Sequence, residues 1–122
     1  LLSRADDIER EVPFILRVGD VFIEGVIDAI LDGTVILDYK TGLEVEARRL
    51  MYDGQLCLYA EALRRLRGLT PERAYIYYVD SGTLAEGGIS DIEIANVLRH
   101  AETAAVEFLN EPVSEQPEAY LK

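Results

Sequence analysis

Cysteine, basic residues and long apolar runs are all scarce in this 122-residue chain. Its only cysteine, Cys57, excludes an internal disulfide and any site in which several cysteines bind zinc or an iron–sulfur cluster. No apolar run approaches the ~20 residues of a membrane-spanning helix, and the sequence lacks both an initiator Met and the pattern of a signal peptide. These absences predict an excised domain of a longer protein, with no membrane partner, in a reducing cytoplasm.

Acidic residues outnumber basic ones by 23 to 12, which gives the chain a net charge of −11. Such a surface repels polyanions, and a protein that binds nucleic acid unaided usually carries a basic face. The one local basic cluster is "RRLRG" at 64–68, with Arg73 beyond it. It lies where a helix is predicted to end, so we interpret it as complementing the helix dipole rather than contacting phosphate.

Strand-like and helix-like segments follow one another along the chain. Alternating apolar patterns predict strands at 12–18, 21–31, 34–40 and 73–80, and either a short fifth strand or a loop at 83–89. Helical patterns cover 46–67 and 91–110, a helical fragment is predicted at 3–10, and the tail at 111–122 is predicted to be irregular. Three strands, a long helix and further strands predict an α/β fold, in which a mixed β-sheet of four to five strands is flanked by helices. We expect residues 1–122 to form a single domain.

Two carboxylates and an ammonium interrupt the apolar pattern of the second and third strands. Asp38 and Lys40 are two residues apart in a strand, so they point to the same face. Asp28 joins them only if the connection at Asp32-Gly33 contains three residues rather than two, because each added residue shifts the register by one. An Asp-Gly pair suits a type I turn followed by a left-handed glycine, which makes a three-residue connection. We therefore predict that Asp28, Asp38 and Lys40 converge.

The alternative is that these charges face solvent on an ordinary half-exposed hairpin. Against it, the strands are apolar on either side of the charged positions, and paired like charges destabilise a fold unless a cation lies between them. Carboxylates on adjacent strands, together with the backbone carbonyl of Tyr39, are oxygen ligands that suit Mg²⁺. Lys40 could then reach a metal-bound water or a phosphate, which suits metal-assisted hydrolysis of a phosphodiester.

The helix predicted at 46–67 carries polar groups on its apolar stripe. Gln55 and Tyr59 lie one turn apart on this stripe, which should pack on the sheet. Because an unsatisfied buried amide costs about 1–3 kcal/mol, Gln55 is expected to bind a polar group of the site. For Tyr59 the sequence leaves two interpretations open: a residue packed in the core and a residue of the site. Tyr52 is interpreted as a core residue, and Cys57 as a small buried hydrophobe rather than a nucleophile.

The segments "GVID", "DYKTG" and "YDGQLCLYAEAL", in this order and spacing, resemble the RecB-like branch of the PD-(D/E)XK nuclease superfamily. The resemblance is nearest to the C-terminal nuclease domain of AddA-type helicase–nucleases. Because "REVPF" and "AYIYYVDSG" fit the same pattern, it covers about residues 9–82. It implies a restriction-endonuclease-like core and an exonuclease that cleaves DNA with Mg²⁺ or Mn²⁺ during recombination and the repair of double-strand breaks.

Several positions of this sequence match the functional positions of that family. By this match, Asp28 and Asp38 take the positions of the metal-binding acids, and Lys40 takes that of the catalytic lysine. Gln55 and Tyr59 fall on a Q-x-x-x-Y motif that helps to orient the active site and the DNA.

Other positions match less well. Glu11 matches an acidic position at the start of the first core strand, where a metal contact and an ordinary surface position are both open. Many members carry an upstream histidine, but the only histidine here, His100, matches no family position and is expected at the surface. Ile27 stands where proline is usual.

The resemblance also implies partners. DNA would be delivered by ATP-dependent helicase domains of the same polypeptide, together with a partner subunit, so that tethering offsets the acidic surface. The isolated domain is then expected to bind DNA poorly and to cut it slowly or not at all. Two alternatives remain open: a catalytically silent scaffold for DNA exit or partner docking, and a stand-alone nuclease of the phage or resolvase type.

Overall fold

The computed structural model describes residues 5–42 and 46–109. Within these ranges the chain forms five strands and two helices. In chain order they are β1 (Ile8–Val18), β2 (Val21–Leu31), β3 (Val35–Lys40), α1 (Glu46–Arg67), β4 (Arg73–Tyr78), β5 (Thr83–Gly87) and α2 (Asp91–Leu109). The predicted tail at 111–122 lies outside the described residues.

All five strands belong to one sheet with the order β1-β2-β3-β4-β5. Neighbouring strands are antiparallel except β3 and β4, which are parallel because α1 connects them as a crossover. This mixed five-stranded sheet, packed against α1 and bordered by α2, confirms the predicted α/β fold. Neither helix, over the part of the chain that the structure describes, is long and apolar enough to cross a membrane.

The hydrophobic core lies between the sheet and α1. Its largest fully buried members are Tyr78, Leu16, Ile27, Ile30, Ile36, Leu56, Leu63 and Ile76. Helix α1 begins and ends as the sequence predicts, and its last turn is closed by Gly68, whose φ is 67° and whose amide donates to the carbonyl of Arg64 at 2.7 Å.

The N-terminal helical fragment predicted at 3–10 is wrong for its described residues. Strand β1 already begins at Ile8, which pairs with Leu31. The amides of Asp6 and Asp7, which the sequence places in a helical first turn, instead donate to the Oδ1 atom of Asp32. Asp6 and Asp7, which would suit the start of a helix, therefore bind the distant turn at Asp32 instead.

Strand β1 does not keep a regular alternation of faces. Glu9 and Phe14 are five residues apart, so regular alternation would place them on opposite sides of the sheet. Both nevertheless contact α1, because Glu9 accepts hydrogen bonds from Arg67 and the ring of Phe14 packs edge-on against Tyr59. Between them, Glu11 adopts a positive φ of 52°. The reversal of faces therefore coincides with a left-handed residue.

Strand β2 reverses its faces at the same level. Ile27 and Ile30 are three residues apart, yet both belong to the core. The β1–β2 ladder runs without interruption on either side, but Glu11 and Asp28, both described residues, form no bridge at this level. Strands β1 and β2 are therefore distorted at the same level, that of Glu11 and Asp28.

The left-handed backbone at Glu11 predicts a stabilising glycine substitution. A residue with a Cβ loses about 1 kcal/mol at positive φ, a penalty that glycine escapes. We expect Glu11→Gly to unfold with a free energy about 1 kcal/mol higher than that of Glu11→Ala in urea denaturation, since both variants lack the carboxylate.

Glu24 provides the matched control, because it is an exposed glutamate on β2 outside the positive-φ region. There, Gly should be less stable than Ala by about 0.5–1 kcal/mol. An Ala variant at Glu11 that is as stable as the Gly variant would show that the strand is not strained.

Candidate active site

The connection between β2 and β3 sets the register of the candidate site. Leu31 pairs with Val35, so the connection consists of three residues, as predicted. The backbone of the turn differs from the predicted type I turn, because Asp32 (φ 50°) and Gly33 (φ 79°) are both left-handed. The amide of Thr34 closes this turn on the carbonyl of Leu31 at 3.2 Å.

Asp32 is held in its unusual conformation by the segment that precedes β1. Its Oδ1 atom accepts hydrogen bonds from the amides of Asp6 and Asp7, each at 2.9 Å. Its own amide donates to the carbonyl of Asp7 at 2.8 Å. Aspartate tolerates the left-handed region better than most residues, and these three hydrogen bonds stabilise it there.

This register brings Asp28 and Asp38 to the same level of neighbouring strands. The Oδ2 atom of Asp28 accepts a hydrogen bond from the amide of Tyr39 at 2.8 Å. Asp38 is only 2% exposed. Burial, and then the neighbouring Asp28 carboxyl group, raise the pKa of Asp38 from 3.8 to about 6, although Lys40 acts in the opposite direction. Holding both carboxylates ionised therefore requires additional positive charge.

Lys40 supplies part of that charge. Its Nζ atom lies 3.0 Å from Oδ2 of Asp38. This contact is an ion pair that lacks the geometry of a hydrogen bond. The buried Oδ2 atom accordingly has no hydrogen-bond partner among the described residues. The geometry confirms the predicted convergence of Asp28, Asp38 and Lys40.

A hydrogen-bonded chain connects the ammonium to α1. The Nζ atom of Lys40 donates to Oε1 of Gln55 at 2.8 Å, and Nε2 of Gln55 donates to the hydroxyl oxygen of Tyr59 at 2.8 Å. Both ends of the Gln55 amide are thus satisfied, as the cost of a buried amide requires. Burial, and then the charges of Asp38 and Asp28, raise the pKa of Tyr59, so its hydroxyl stays protonated.

Tyr52, which the sequence predicts as a core residue, also contacts the site. The Nζ atom of Lys40 lies 4.7 Å from the centroid of its ring. The spacing of Tyr52 and Gln55, three residues apart on one helical face, could have indicated this contact.

Two other predicted residues stay apart from these contacts. Glu11 is exposed at the level of Asp28, and among the described residues it forms no hydrogen bond or ion pair with the acids or Lys40. His100 is exposed on α2, as expected, and its Nδ1 atom lies 2.7 Å from the carbonyl of Asn96.

Cys57 is a buried thiol rather than a nucleophile. It is 2% exposed, and its Sγ atom lies 3.1 Å from the carbonyl of Gly88. Burial, and then the charges of Glu93 and Asp53, raise the pKa of Cys57 to about 11, so the thiol is not ionised at neutral pH.

The donor set of the site fits a hard divalent cation. Within residues 5–42 and 46–109, no group of three or more His, Cys, Asp or Glu side chains comes together. The site instead offers two carboxylates, and one of their buried oxygens lacks a hydrogen bond. Mg²⁺ is commonly held by one or two carboxylates while it keeps several water ligands, so Asp28 and Asp38 suit it.

The basic cluster at the end of α1 is largely neutralised by nearby acids. Glu61, which is 1% exposed, accepts hydrogen bonds from Arg64 and Arg65. Arg67 forms a bidentate ion pair with Glu9. The helix-dipole interpretation is therefore incomplete, because Arg64 and Arg65 also pair with a buried carboxylate of α1 itself and Arg67 joins α1 to β1.

A cavity between α1 and α2 reaches the site. Its volume is about 790 Å³, and Lys40 lies on its wall. Apolar side chains line much of it, among them Leu50, Met51, Tyr52, Leu58 and Val97. The cavity therefore gives the Lys40 ammonium an open side.

Comparisons with known proteins identify the family of the chain. The sequence profile of the PD-(D/E)XK nuclease superfamily matches residues 2–120. One relative, an ATP-dependent helicase/nuclease subunit of Listeria welshimeri, is 28% identical over 117 residues, which cover 75% of this chain and 9% of the relative. The protein of the same name from Anoxybacillus flavithermus is 34% identical over 96 residues, covering 68% of this chain and 8% of the relative. The chain thus spans less than a tenth of the length of these relatives.

A solved structure shares the fold. A candidate exonuclease from Eubacterium rectale superposes with a TM-score of 0.66 at 16% identity, covering 89% of this chain and 49% of the other. At this identity the similarity concerns the fold alone, whereas the sequence profile covers nearly the whole chain. The chain belongs to the PD-(D/E)XK nuclease superfamily.

Proposed function

We propose that this chain is a nuclease domain that hydrolyses phosphodiester bonds of DNA with the help of a divalent metal ion. The observation that carries the proposal is the placement of Lys40 against two adjacent carboxylates, Asp28 and Asp38. Membership of the superfamily supports DNA as the substrate and a hydrolytic reaction.

The proposed roles follow from the contacts of each residue. Asp28 and Asp38 hold Mg²⁺ or Mn²⁺, with the backbone carbonyl of Tyr39 as a further ligand. When bound there, such an ion would supply acidification of a water and compensation of charge on the phosphate oxygens. The ammonium of Lys40 binds a phosphate oxygen or orients the attacking water, and Gln55 restrains the ammonium by its hydrogen bond.

Tyr59 and Glu11 have more distant roles in this proposal. Tyr59 holds the Gln55 amide from the far side, since its oxygen accepts the Nε2 hydrogen bond. Glu11 lies at the level of Asp28 and remains a candidate metal contact, either directly or through water.

The acidic composition bears on how DNA arrives. With a net charge of −11 and several of its arginines paired with acids, the domain offers little general attraction for a polyanion. We propose that residues 1–122 are one domain from the C-terminal part of a larger bacterial helicase–nuclease. Helicase domains of that polypeptide use ATP to deliver DNA, and a partner subunit completes the complex.

The names of the two relatives support this larger context. In it, the domain acts as a cytoplasmic exonuclease in recombination and the repair of double-strand breaks. Tethering raises the local concentration of substrate at the site, so the isolated domain is expected to cut slowly or not at all.

Removal of the ammonium should abolish cleavage. In the full-length protein we expect Lys40→Ala to lower kcat by about 10²- to 10³-fold, the usual effect of losing one donor that stabilises transition-state charge. The measurement is the release of nucleotides from labelled DNA in the presence of Mg²⁺ and ATP.

The matched control is Lys122→Ala, which removes the only other lysine of this chain and should leave cleavage unchanged. ATP hydrolysis should be normal in both variants. Cleavage by Lys40→Ala at the rate of the unmodified protein would refute the active-site assignment and favour a silent scaffold.

The pKa of Asp38 predicts how metal and pH affect stability. This pKa is about 6 in the folded chain against an ordinary 3.8, so protonation favours folding. The contribution is fully present below about pH 4 and is lost as pH rises through about 6. At pH 8 without metal, Asp38→Asn should therefore be about 1–3 kcal/mol more stable than the unmodified chain, whereas at pH 4 the two should be similar.

Urea denaturation with EDTA or with Mg²⁺ measures both effects. Mg²⁺ should stabilise the unmodified chain at pH 8 and leave Asp38→Asn unaffected, because the variant lacks a ligand. Asp20→Asn is the control, since that side chain is fully exposed and its substitution should change neither response. Equal stabilisation of Asp38→Asn by Mg²⁺ would exclude Asp38 as a metal ligand.

A further inference from the structure

We propose that Tyr52 is a positioning residue whose aromatic ring holds the ammonium of Lys40 beside the paired carboxylates by a cation–π contact. The effect of Tyr52 on cleavage rests on the function proposed above, whereas the contact itself can be tested without any cleavage.

Lys40 needs to be positioned because its side chain is long and its charge has no preferred direction. A lysine side chain carries about 2 kcal/mol of rotamer entropy, and an ammonium lacks the planar fork that orients an arginine. The side chain of Lys40 is 20% exposed and borders the cavity between α1 and α2. The ammonium could therefore swing out of the site unless its neighbours prevent it.

Three neighbours of different chemistry restrain the ammonium. Asp38 contributes a charge at 3.0 Å, Gln55 contributes a hydrogen-bond acceptor at 2.8 Å, and Tyr52 contributes the face of its ring at 4.7 Å. That last distance is well inside the ~6 Å range of cation–π attraction. The three contacts therefore surround the ammonium with a carboxylate, an amide oxygen and a π face.

These contacts differ in how they depend on a metal ion. An Asp38 carboxylate that coordinates a metal has less negative charge to offer Lys40. The contacts with Gln55 and Tyr52 come from neutral groups on one face of α1, so they persist. Gln55 is fixed in turn by Tyr59, and Tyr52 stands one turn before Gln55 on the same helix. Helix α1 thus restrains the ammonium independently of the acids.

The surroundings of Tyr52 favour this role over simple packing. Tyr59 is 7% exposed and has an aromatic partner, Phe14, at 5.6 Å. Tyr52 is only partly buried, lies on the cavity wall and, among the described residues, has no aromatic partner. A leucine would fill the same space but would lack the electron-rich face.

The lysine content of the chain makes the contact directly measurable. Lys40 and Lys122 are the only lysines, so a sample labelled with ¹³C-lysine gives two sets of side-chain signals, and Lys40→Ala assigns them. An aromatic ring shifts the resonances of protons above its face upfield. We expect the ε-methylene protons of Lys40 to be shifted upfield in the metal-free 122-residue chain and in Tyr52→Phe. In Tyr52→Leu they should return towards the position typical of a free lysine.

The kinetic test uses the full-length protein. Cation–π contacts contribute about 0.5–2 kcal/mol, so Tyr52→Leu should lower kcat by about 2- to 30-fold with little change in KM. Tyr52→Phe should retain most of the activity, because it keeps the ring. A series of phenylalanines with one to three ring fluorines at position 52 keeps the shape but weakens the π face, so kcat should fall with each fluorine.

Tyr75→Leu is the matched control. Tyr75 is also half-buried but belongs to β4 next to Ile76, whose side chain enters the core, so it points to the other face of the sheet. This variant should leave the Lys40 signals unchanged. If Tyr52→Leu fails to fold, the fluorinated series decides instead, since its side chains have nearly the same volume.

Two results would overturn the proposal. One is a set of Lys40 signals that does not move in Tyr52→Leu, and the other is a kcat that is equal for Leu, Phe and the fluorinated residues. Lys40→Ala, measured in parallel, separates this failure from failure of the proposed function. If Lys40→Ala is inactive while the Tyr52 variants behave alike, the nuclease site stands and only the role of Tyr52 is wrong.

Discussion

Two carboxylates, Asp28 and Asp38, are held side by side on neighbouring strands beneath α1. The rest of the fold has to offset the electrostatic repulsion between them. Burial, and then the neighbouring Asp28 carboxyl group, raise the pKa of Asp38, so ionisation of both acids opposes folding. The Tyr39 amide binds Asp28 and the Lys40 ammonium lies 3.0 Å from Asp38, yet the pKa of Asp38 stays raised, so they offset this cost only in part. A site that remains short of positive charge is suited to attract a cation.

Several backbone features maintain this arrangement. The left-handed turn at Asp32, stabilised by the amides of Asp6 and Asp7, sets the register between β2 and β3. The left-handed residue Glu11 lies on β1 at the level of Asp28, where the ladder between β1 and β2 is interrupted. Because the side-chain period of a strand is two, a shift of one residue at this turn would move one acid to the other face. Unfavourable backbone conformations are thus concentrated where they determine the geometry of the acids.

Sequence reasoning succeeds where the information is local and fails where it is not. Helix α1 is predicted from its stripe and its glycine stop, and the three-residue connection follows from a choice between two registers. The start of β1 is missed because Asp6 and Asp7 pair with Asp32, about 25 residues away, rather than with their own chain neighbours. The positive φ of Glu11 depends on the strand opposite, and the contact of Tyr52 depends on where α1 crosses β3.

The basic side chains of α1 and of the site have different partners. At the end of α1, Arg64 and Arg65 pair with Glu61 of the same helix and Arg67 pairs with Glu9 of β1, so these arginines do not present an unpaired basic face. Lys40, by contrast, directs its charge at the acids of the site. In the proposed function, a domain with a net charge of −11 would hold phosphate mainly through Lys40 and the metal ion, since its surface repels the rest of the polyanion. In that proposal the site would act on DNA that is brought to it and would have little tendency to capture DNA on its own.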